Sequence, residues 1–147
     1  KATVEEEAGM AKAVATMTAA FAGATVPKVN LITGEAFGSA YTAMNSKAIG
    51  ADIEYAWPSA KIGMMDPEAA VSIMYADEIA AADDKKAVIA DKKKQFAEEQ
   101  ASAVAAAKRG IVDDIIVPDA TRKRLIAAFE MLYTKCEDKP AKKHGSK

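Results

Sequence analysis

The amino-acid sequence predicts an α/β domain with short parallel strands, flanking helices and a long helical region towards the C-terminal end. Two observations support this class. Short apolar segments alternate with turns of Gly, Ser and Ala between residues 25 and 66, and helical repeats dominate the rest of the chain. Because a strand, a helix and a second strand follow one another, we expect a right-handed crossover and a parallel pair.

The composition is that of one modest domain. The chain has 147 residues and a formal net charge of −1, so no basic field exists for a nucleic-acid partner. A single cysteine, Cys136, excludes an internal disulfide. The longest uncharged run, between Lys12 and Lys28, is shorter than the ~20 residues of a spanning helix, which predicts a cytoplasmic protein. We expect a domain over residues 1–136 and a polar tail over 137–147.

The first half of the chain carries one helix and three predicted strands. A helix is expected from Glu5 to Gly23, with Met10, Val14, Met17 and Phe21 on one core-facing side. The elements that follow are a strand over 29–33, a loop over 34–39, a short helix over 40–47 and strands over 53–57 and 60–64.

The second half is predicted to be mainly helical. Asp66 can cap a helix that has Pro67 at its first position and continues to Met74. A single helix of roughly 35 Å is expected over 84–109, closed by Gly110. An extended segment over 111–117 then leads to a last helix, whose apolar face contains Leu125, Ile126, Phe129, Leu132 and Tyr133.

The turn from Phe37 to Tyr41 is the strongest site candidate. It follows a predicted strand and begins a predicted helix, where ligands bind in open α/β sheets. The first amides of a helix are free donors, so the N–H groups of Ser39 and Ala40 can form an oxyanion hole beside the small residue Gly38. Tight packing of helix on strand explains the same small residues and remains an alternative.

Other candidates are weaker. Ser39 as a nucleophile would need a base, and the only histidine, His144, lies in the polar tail. No metal site is expected, because no second ligand stands near His144. Asp52 and Glu54 fit an acid or base role, or ordinary polar positions at the end of a sheet.

Several spaced segments of the chain match one family in order. They are ATVPKV, GSAY, MNSKAIGAD, YAWP, KIGMMD, AAKRGIVDDIIVP, ATRKRLIAAFEML and KKHG. These segments resemble the carboxyltransferase component of biotin-dependent acyl-CoA carboxylases and decarboxylases, which includes propionyl-CoA carboxylase beta and methylmalonyl-CoA decarboxylase alpha subunits. The resemblance covers nearly the whole chain.

The resemblance implies a crotonase-like fold (the ClpP/crotonase type) and the second, C-terminal domain of a larger subunit. In that family the N-terminal half binds the acyl-CoA and the C-terminal half binds biotin, which a separate carrier domain delivers. The two halves meet between subunits of a homo-oligomer, a hexamer in the full-length enzyme. This chain is then the biotin-binding half in carboxyl transfer between N-carboxybiotin and the alpha carbon of an acyl-CoA, and it is expected to be inactive alone.

Carried onto this sequence, the biotin oxyanion hole falls on the amides of Ser39 and Ala40, within a cofactor-binding turn that also includes Gly38 and Tyr41. The usual family turn is Gly-Gly-Ala-Tyr, and here Ser39 replaces the second glycine. Its backbone amide is kept, but its side chain narrows the approach of a ligand to the turn. Propionyl-CoA carboxylases carry an aspartate at the substrate-lining position that Thr42 occupies here. The resemblance therefore does not specify which acyl-CoA is the substrate.

Two functions rival this interpretation. One is an assembly or structural module of a larger complex. The other is a different crotonase-fold acyl-CoA enzyme, which would need a carboxylate base near the turn, where the sequence offers only Glu35 and Asp52. The direction also stays open, and a decarboxylase would add a membrane partner.

Overall fold

The computed structural model describes residues 8–140. Its strands are β1 (Val29–Ile32), β2 (Glu35–Phe37), β3 (Ile53–Ala56), β4 (Lys61–Gly63) and β5 (Asp114–Ile115). Its α-helices are α1 (Met10–Gly23), α2 (Gly38–Ala43), α3 (Pro67–Met74), α4 (Ala76–Ala81), α5 (Lys85–Glu99), α6 (Ala103–Lys108) and α7 (Thr121–Met131). Short 3-10 turns occupy Lys47–Ile49 and Pro118–Ala120.

The strands form two small parallel sheets. The first has the order β1-β3-β5, with Val29 opposite Ile53, so the predicted parallel pair is confirmed. The second pairs β2 with β4. The sequence pattern did not predict β2, because a three-residue strand with an exposed Glu35 shows too little alternation to be distinguished from a loop.

Helix α1 ends at Gly23 as predicted, but the prediction that its apolar side is core is wrong. No residue between Met10 and Gly23 is buried, and Met10 is 44% exposed. The helix lies mainly against α2 and the 3-10 turn that follows it. Such short partners cover only part of its apolar stripe. The predicted first turn, with Glu5, lies outside the described residues.

The predicted single helix over 84–109 is wrong, because the chain breaks between α5 and α6. The carbonyl of Ala101 accepts from Ile62 N at 2.8 Å, which ties this point to β4. The side chain of Ser102 then caps α6 by accepting from Ala105 N at 3.2 Å. Ala101 is fully buried, so packing on the second sheet overrides the helical propensity of the residues on either side.

Two cores lie on opposite faces of the first sheet. Successive residues of β3 point to opposite sides, so Tyr55 joins one cluster and Ala56 the other. The cluster around Ala56 contains Ile32, Tyr41, Ala60, Ile62, Ala103, Ala106 and Val112. Many of these are alanines, which brings α6 and the second sheet close to the first.

Helix α7 covers the other face of the first sheet. Ala128 is buried there, and Leu125 and Leu132 pack against the cluster that contains Tyr55. Only part of the predicted apolar face is therefore used. The exposed fractions of Ile126, Phe129 and Tyr133 are 50%, 48% and 85%. No helix within residues 8–140 is long and apolar enough to cross a membrane.

A group of charges joins the C-terminal segment to the first strand and helix. Lys135 Nζ lies 2.9 Å from Asp52, and Lys28 N donates to Asp52 at 2.7 Å. Burial raises the pKa of Asp52, but these hydrogen bonds outweigh it and hold the pKa below its usual value. Lys139 Nζ donates to Ala22 O at 2.8 Å. Burial, with the charges of Lys139 and Lys135, lowers the pKa of Lys28.

Candidate functional site

The predicted site turn lies where β2 meets α2. Gly38 has a φ of +61°, in the left-handed region, and a Cβ on it would lie 3.3 Å from the carbonyl oxygen of Met64. Glycine therefore fits both the backbone conformation and the close approach of the residue that follows β4. As predicted, the turn stands at the carboxyl end of a strand and the start of a helix, although the strand is β2.

The first turn of α2 presents backbone donors. Phe37 precedes the helix and provides no side-chain cap among the described residues. The leading amides of a helix have no intrahelical acceptor, so those of Ser39 and Ala40 are available to a ligand. Both residues are exposed. The arrangement can stabilise negative charge on an oxygen with no ionisable side chain involved.

A cavity of about 310 Å³ opens beside this turn, between the end of β1 and helix α2. Its walls are Asn30, Leu31, Ile32, Thr33, Gly34, Glu35, Ala36, Ala40, Tyr41 and Met44. Apolar side chains form most of the lining, and one of the two candidate donors, Ala40, belongs to it. The site thus combines a recess with backbone donors at its edge, a combination common in small-molecule sites.

Behind the turn, Tyr41 points its hydroxyl into the protein. Tyr41 is 9% exposed, and its Oη donates to Glu54 Oε2 at 3.4 Å. Glu54 is fully buried and accepts two further bonds, from Lys47 N at 3.1 Å and from Asn30 Nδ2 at 3.2 Å. The carboxylate of Glu54 therefore links β3 to β1, to α2 and to the 3-10 turn after it.

Burial governs the protonation of this pair. It raises the pKa of Glu54, and the three hydrogen bonds to its carboxylate offset part of that rise. Burial and the neighbouring Glu54 raise the pKa of Tyr41 to about 12, so the phenol stays protonated and donates. Lys47 Nζ forms an ion pair with Asp113, whose other oxygen accepts from Glu54 N at 2.8 Å.

The other predicted residues lie around or away from the turn. Thr42 Oγ1 donates to Gly38 O at 3.3 Å, within the helix itself. Glu35 lines the cavity and pairs with Lys61 at 2.9 Å on the surface. Asp52 belongs to the cluster around Lys135 and not to the turn.

His144 lies outside the described residues. Within residues 8–140, no three His, Cys, Asp or Glu side chains are grouped to hold a metal ion.

Sequence reasoning missed the contact between Glu54 and Tyr41. Glu54 was predicted as a polar position at the end of a sheet, whereas it lies inside the protein on a strand whose four residues are all buried. The available signal was a carboxylate between Ile53 and Tyr55 in an otherwise apolar strand. A charged side chain in such a segment needs a partner, and Tyr41 supplies a hydrogen bond.

Comparison with known proteins gives one family. The family model described as the carboxyl transferase domain matches residues 2–146. A Bacillus subtilis protein assigned as a propionyl-CoA carboxylase beta chain is 49% identical over 142 residues, which covers 97% of this chain and 28% of that protein. The alpha subunit of methylmalonyl-CoA decarboxylase from Propionigenium modestum is 45% identical over 142 residues, covering 97% of this chain and 28% of that protein.

A solved structure of transcarboxylase 12S, described as a hexamer with methylmalonyl-coenzyme A and methylmalonic acid bound, superposes with a TM-score of 0.91. It is 41% identical and covers 99% of this chain and 28% of that one. The likeness confirms the predicted crotonase-like α/β fold. The chain spans about 28% of the length of the curated relatives it matches.

Proposed function

The chain belongs to the carboxyl transferase domain family, and from that premise we propose that it is the biotin-binding half of a biotin-dependent acyl-CoA carboxyltransferase. The reaction moves a carboxyl group between N-carboxybiotin and the alpha carbon of an acyl-CoA. The observation that carries the proposal is the uncapped first turn of α2, which opens beside a cavity of about 310 Å³.

The residues of this turn fit the ureido group of biotin. The amides of Ser39 and Ala40 are donors, and a carbonyl oxygen is the acceptor they require. Gly38 has no side chain to block the approach, and its positive φ turns the chain sharply from β2 into α2. When bound, biotin supplies the nitrogen that carries the carboxyl group and the ureido oxygen on which negative charge develops.

The role of this chain is to stabilise that charge in place. A preorganised amide is worth more to the transition state than to the ground state, because the charge on the acceptor oxygen is larger there. The donors are fixed before the reaction begins, since α2 is anchored through Tyr41 to the buried Glu54. No nucleophilic side chain is needed for this role, because backbone amides stabilise the charge.

The missing functions fall to other parts of a larger assembly. The acyl-CoA belongs to an N-terminal half, biotin arrives on a carrier domain, and other subunits complete a homo-oligomer, a hexamer in the full-length enzyme. A relative solved with methylmalonyl-coenzyme A, and described as a hexamer, supports assembly into an oligomer. We place the enzyme in the cytoplasm, with a membrane partner if it works as a decarboxylase, and leave the acyl group open at Thr42.

An assembly role is the second candidate, and one surface favours it. Three apolar side chains of the last helical region are 48% exposed or more: Ile126, Phe129 and Tyr133. Several exposed apolar side chains close together suit a subunit contact, whereas single exposed ones are common on any surface. This surface lies on the α7 side of the first sheet, away from the turn, so assembly and carboxyl transfer are compatible.

The decisive experiment removes one donor and keeps the rest of the turn. Ala40→Pro deletes the amide hydrogen at a position where a helix tolerates proline, near its N-terminus. In the full-length enzyme, carboxyl transfer should fall by about 10²- to 10³-fold, the cost of one oxyanion donor. Decarboxylation of malonyl- or methylmalonyl-CoA with biotin gives the rate.

Ala40→Gly is the matched comparison, because it removes the methyl group and keeps the amide. It should lose far less activity than Ala40→Pro. Circular dichroism should show that both variants fold. Near-normal transfer by a folded Ala40→Pro enzyme would exclude this amide as an essential donor.

A further inference from the structure

The fully buried carboxylate of Glu54 accepts hydrogen bonds from three separate parts of the chain. Its Oε2 accepts from Tyr41 Oη at 3.4 Å and from Lys47 N at 3.1 Å, while its Oε1 accepts from Asn30 Nδ2 at 3.2 Å. Tyr41 follows Ala40 directly in α2, and Lys47 begins the 3-10 turn after that helix. One carboxylate therefore binds both a residue within α2 and the turn that follows that helix.

We propose that Glu54 is a positioning residue for the reaction, holding the amides of Ser39 and Ala40 in their productive orientation through its hydrogen bond to Tyr41. The inference rests on the proposed function, since it assigns a support to those two amides. Glu54 has no surface exposure, so it does not touch the substrate itself.

The geometry explains how the support works. The turn is held from two directions: Phe37, the residue before it, pairs with Gly63 of β4, and Glu54 of β3 accepts a hydrogen bond from Tyr41. Both contacts come from strands, which are more rigid than the loops around them. With Gly38 and Tyr41 fixed, the two residues between them have little freedom to tilt. A reaction that depends on amide direction is sensitive to displacements of about 1 Å.

Other charges around Glu54 are arranged to keep it in place. Asp113 accepts from Glu54 N at 2.8 Å and forms the ion pair with Lys47. That ion pair fixes the residue whose backbone amide donates to Glu54. A buried carboxylate costs more to desolvate than an apolar side chain at this position, and its three hydrogen-bond donors hold it in one orientation.

The test compares variants of the full-length enzyme. Glu54→Gln keeps the shape and one acceptor oxygen but loses the charge, and Tyr41→Phe removes only the hydroxyl. The double variant completes a cycle. Glu78→Gln is the matched control, since Glu78 is an exposed residue of α4 that forms an ion pair with Lys92 of α5 at 2.9 Å, and α4 contributes nothing to the turn. The assay is decarboxylation of methylmalonyl- or malonyl-CoA with biotin. Circular dichroism gives the folded fraction of each variant, so that kcat is expressed per folded molecule.

A positioning role predicts a loss in kcat and not only in stability. We expect kcat per folded molecule to fall about tenfold or more in Glu54→Gln and in Tyr41→Phe, with KM for the acyl-CoA changed less than about twofold. The double variant should be no slower than about the worse single variant, because both act through one contact. Glu78→Gln should keep the wild-type kcat.

A purely structural Glu54 gives a different result. The variants would unfold more easily, yet each folded molecule would turn over at the wild-type rate, and that outcome would overturn the proposal. If Glu54→Gln does not fold, Tyr41→Phe tests the same contact alone. The Ala40→Pro variant separates the two claims: its near-normal activity sinks the proposed function, whereas its inactivity together with a normal kcat in Tyr41→Phe sinks only the role of Glu54.

Discussion

Replacing Gly38 with alanine should destabilise the domain by a calculable amount. The backbone there has a φ of +61°, and the new Cβ would lie 3.3 Å from the carbonyl oxygen of Met64. A left-handed conformation costs a residue with a Cβ about 1–2 kcal/mol. The close backbone contact adds roughly 1 kcal/mol, the lower end of the usual overpacking cost, because a shift of a few tenths of an ångström relieves it.

Two other glycines separate these contributions. Gly110 has a φ of +75° with open space around it, and Gly34 has open space and no positive φ. Gly34→Ala should stabilise the chain by about 0.4–1 kcal/mol, since alanine restricts the unfolded state. Gly110→Ala carries the backbone strain alone. Gly38→Ala carries strain and contact, so it should be about 2–3 kcal/mol less stable than Gly34→Ala.

Urea unfolding of the chain measures all three variants in one assay. Trp57 is the single tryptophan, it packs against the core formed by β3 and α7, and its Nε1 donates to Thr121 Oγ1 at 3.0 Å. Its fluorescence should therefore report the loss of tertiary structure. The reasoning is refuted if Gly38→Ala is as stable as Gly34→Ala. If Gly110→Ala and Gly38→Ala are equally destabilised, the contact with Met64 contributes nothing.

Two further predictions concern charge and packing. The hydrogen bonds to Asp52 hold its pKa below the usual value, so their stabilisation is present above about pH 4 and is lost as the pH falls through the lowered pKa. Asp52→Asn should therefore be about 1–3 kcal/mol less stable than wild type at pH 7, with a difference that closes in acid; a gap that stays constant down to pH ~2 would contradict this. Ala106 of α6 is fully buried in the core cluster around Ala56, so Ala106→Leu should lower the free energy of unfolding in urea by about 1–3 kcal/mol. Val104→Leu, at a position 54% exposed on the same helix, should stay within about 0.5 kcal/mol of wild type, and equal losses in the two variants would argue against close packing at Ala106.

Local signals in the sequence identified most of the helices that begin or end at a capping residue, a proline or a glycine. Asp66 accepts from Glu68 N and Ala69 N and caps α3, with Pro67 at the first position, as predicted. Gly23 ends α1, and Gly110, at a φ of +75°, follows α6. These features depend on a few neighbouring residues, so no knowledge of distant contacts is needed to predict them.

The errors occur where distant contacts decide. Residues 84–109 are predicted to form one helix, yet the chain breaks at Ala101 because β4 supplies a hydrogen-bond partner and a packing surface there. The apolar side of α1 is correctly located on the helix but is only partly covered, because coverage depends on which elements lie opposite. Periodicity gives the direction of a face and not its partner.

The sequence by itself determined the fold class, the family and the position of the turn at Gly38, Ser39 and Ala40. Those depend on local propensity, spaced motifs and small residues that are visible in one dimension. The tertiary structure decided what surrounds that turn: β2 and β4 on one side, the cavity beside Ala40, and Glu54 behind Tyr41. Residues 41 and 54 meet only because the strand that carries Glu54 pairs with β1 and faces α2. A hydrogen bond across that distance depends on the folded backbone.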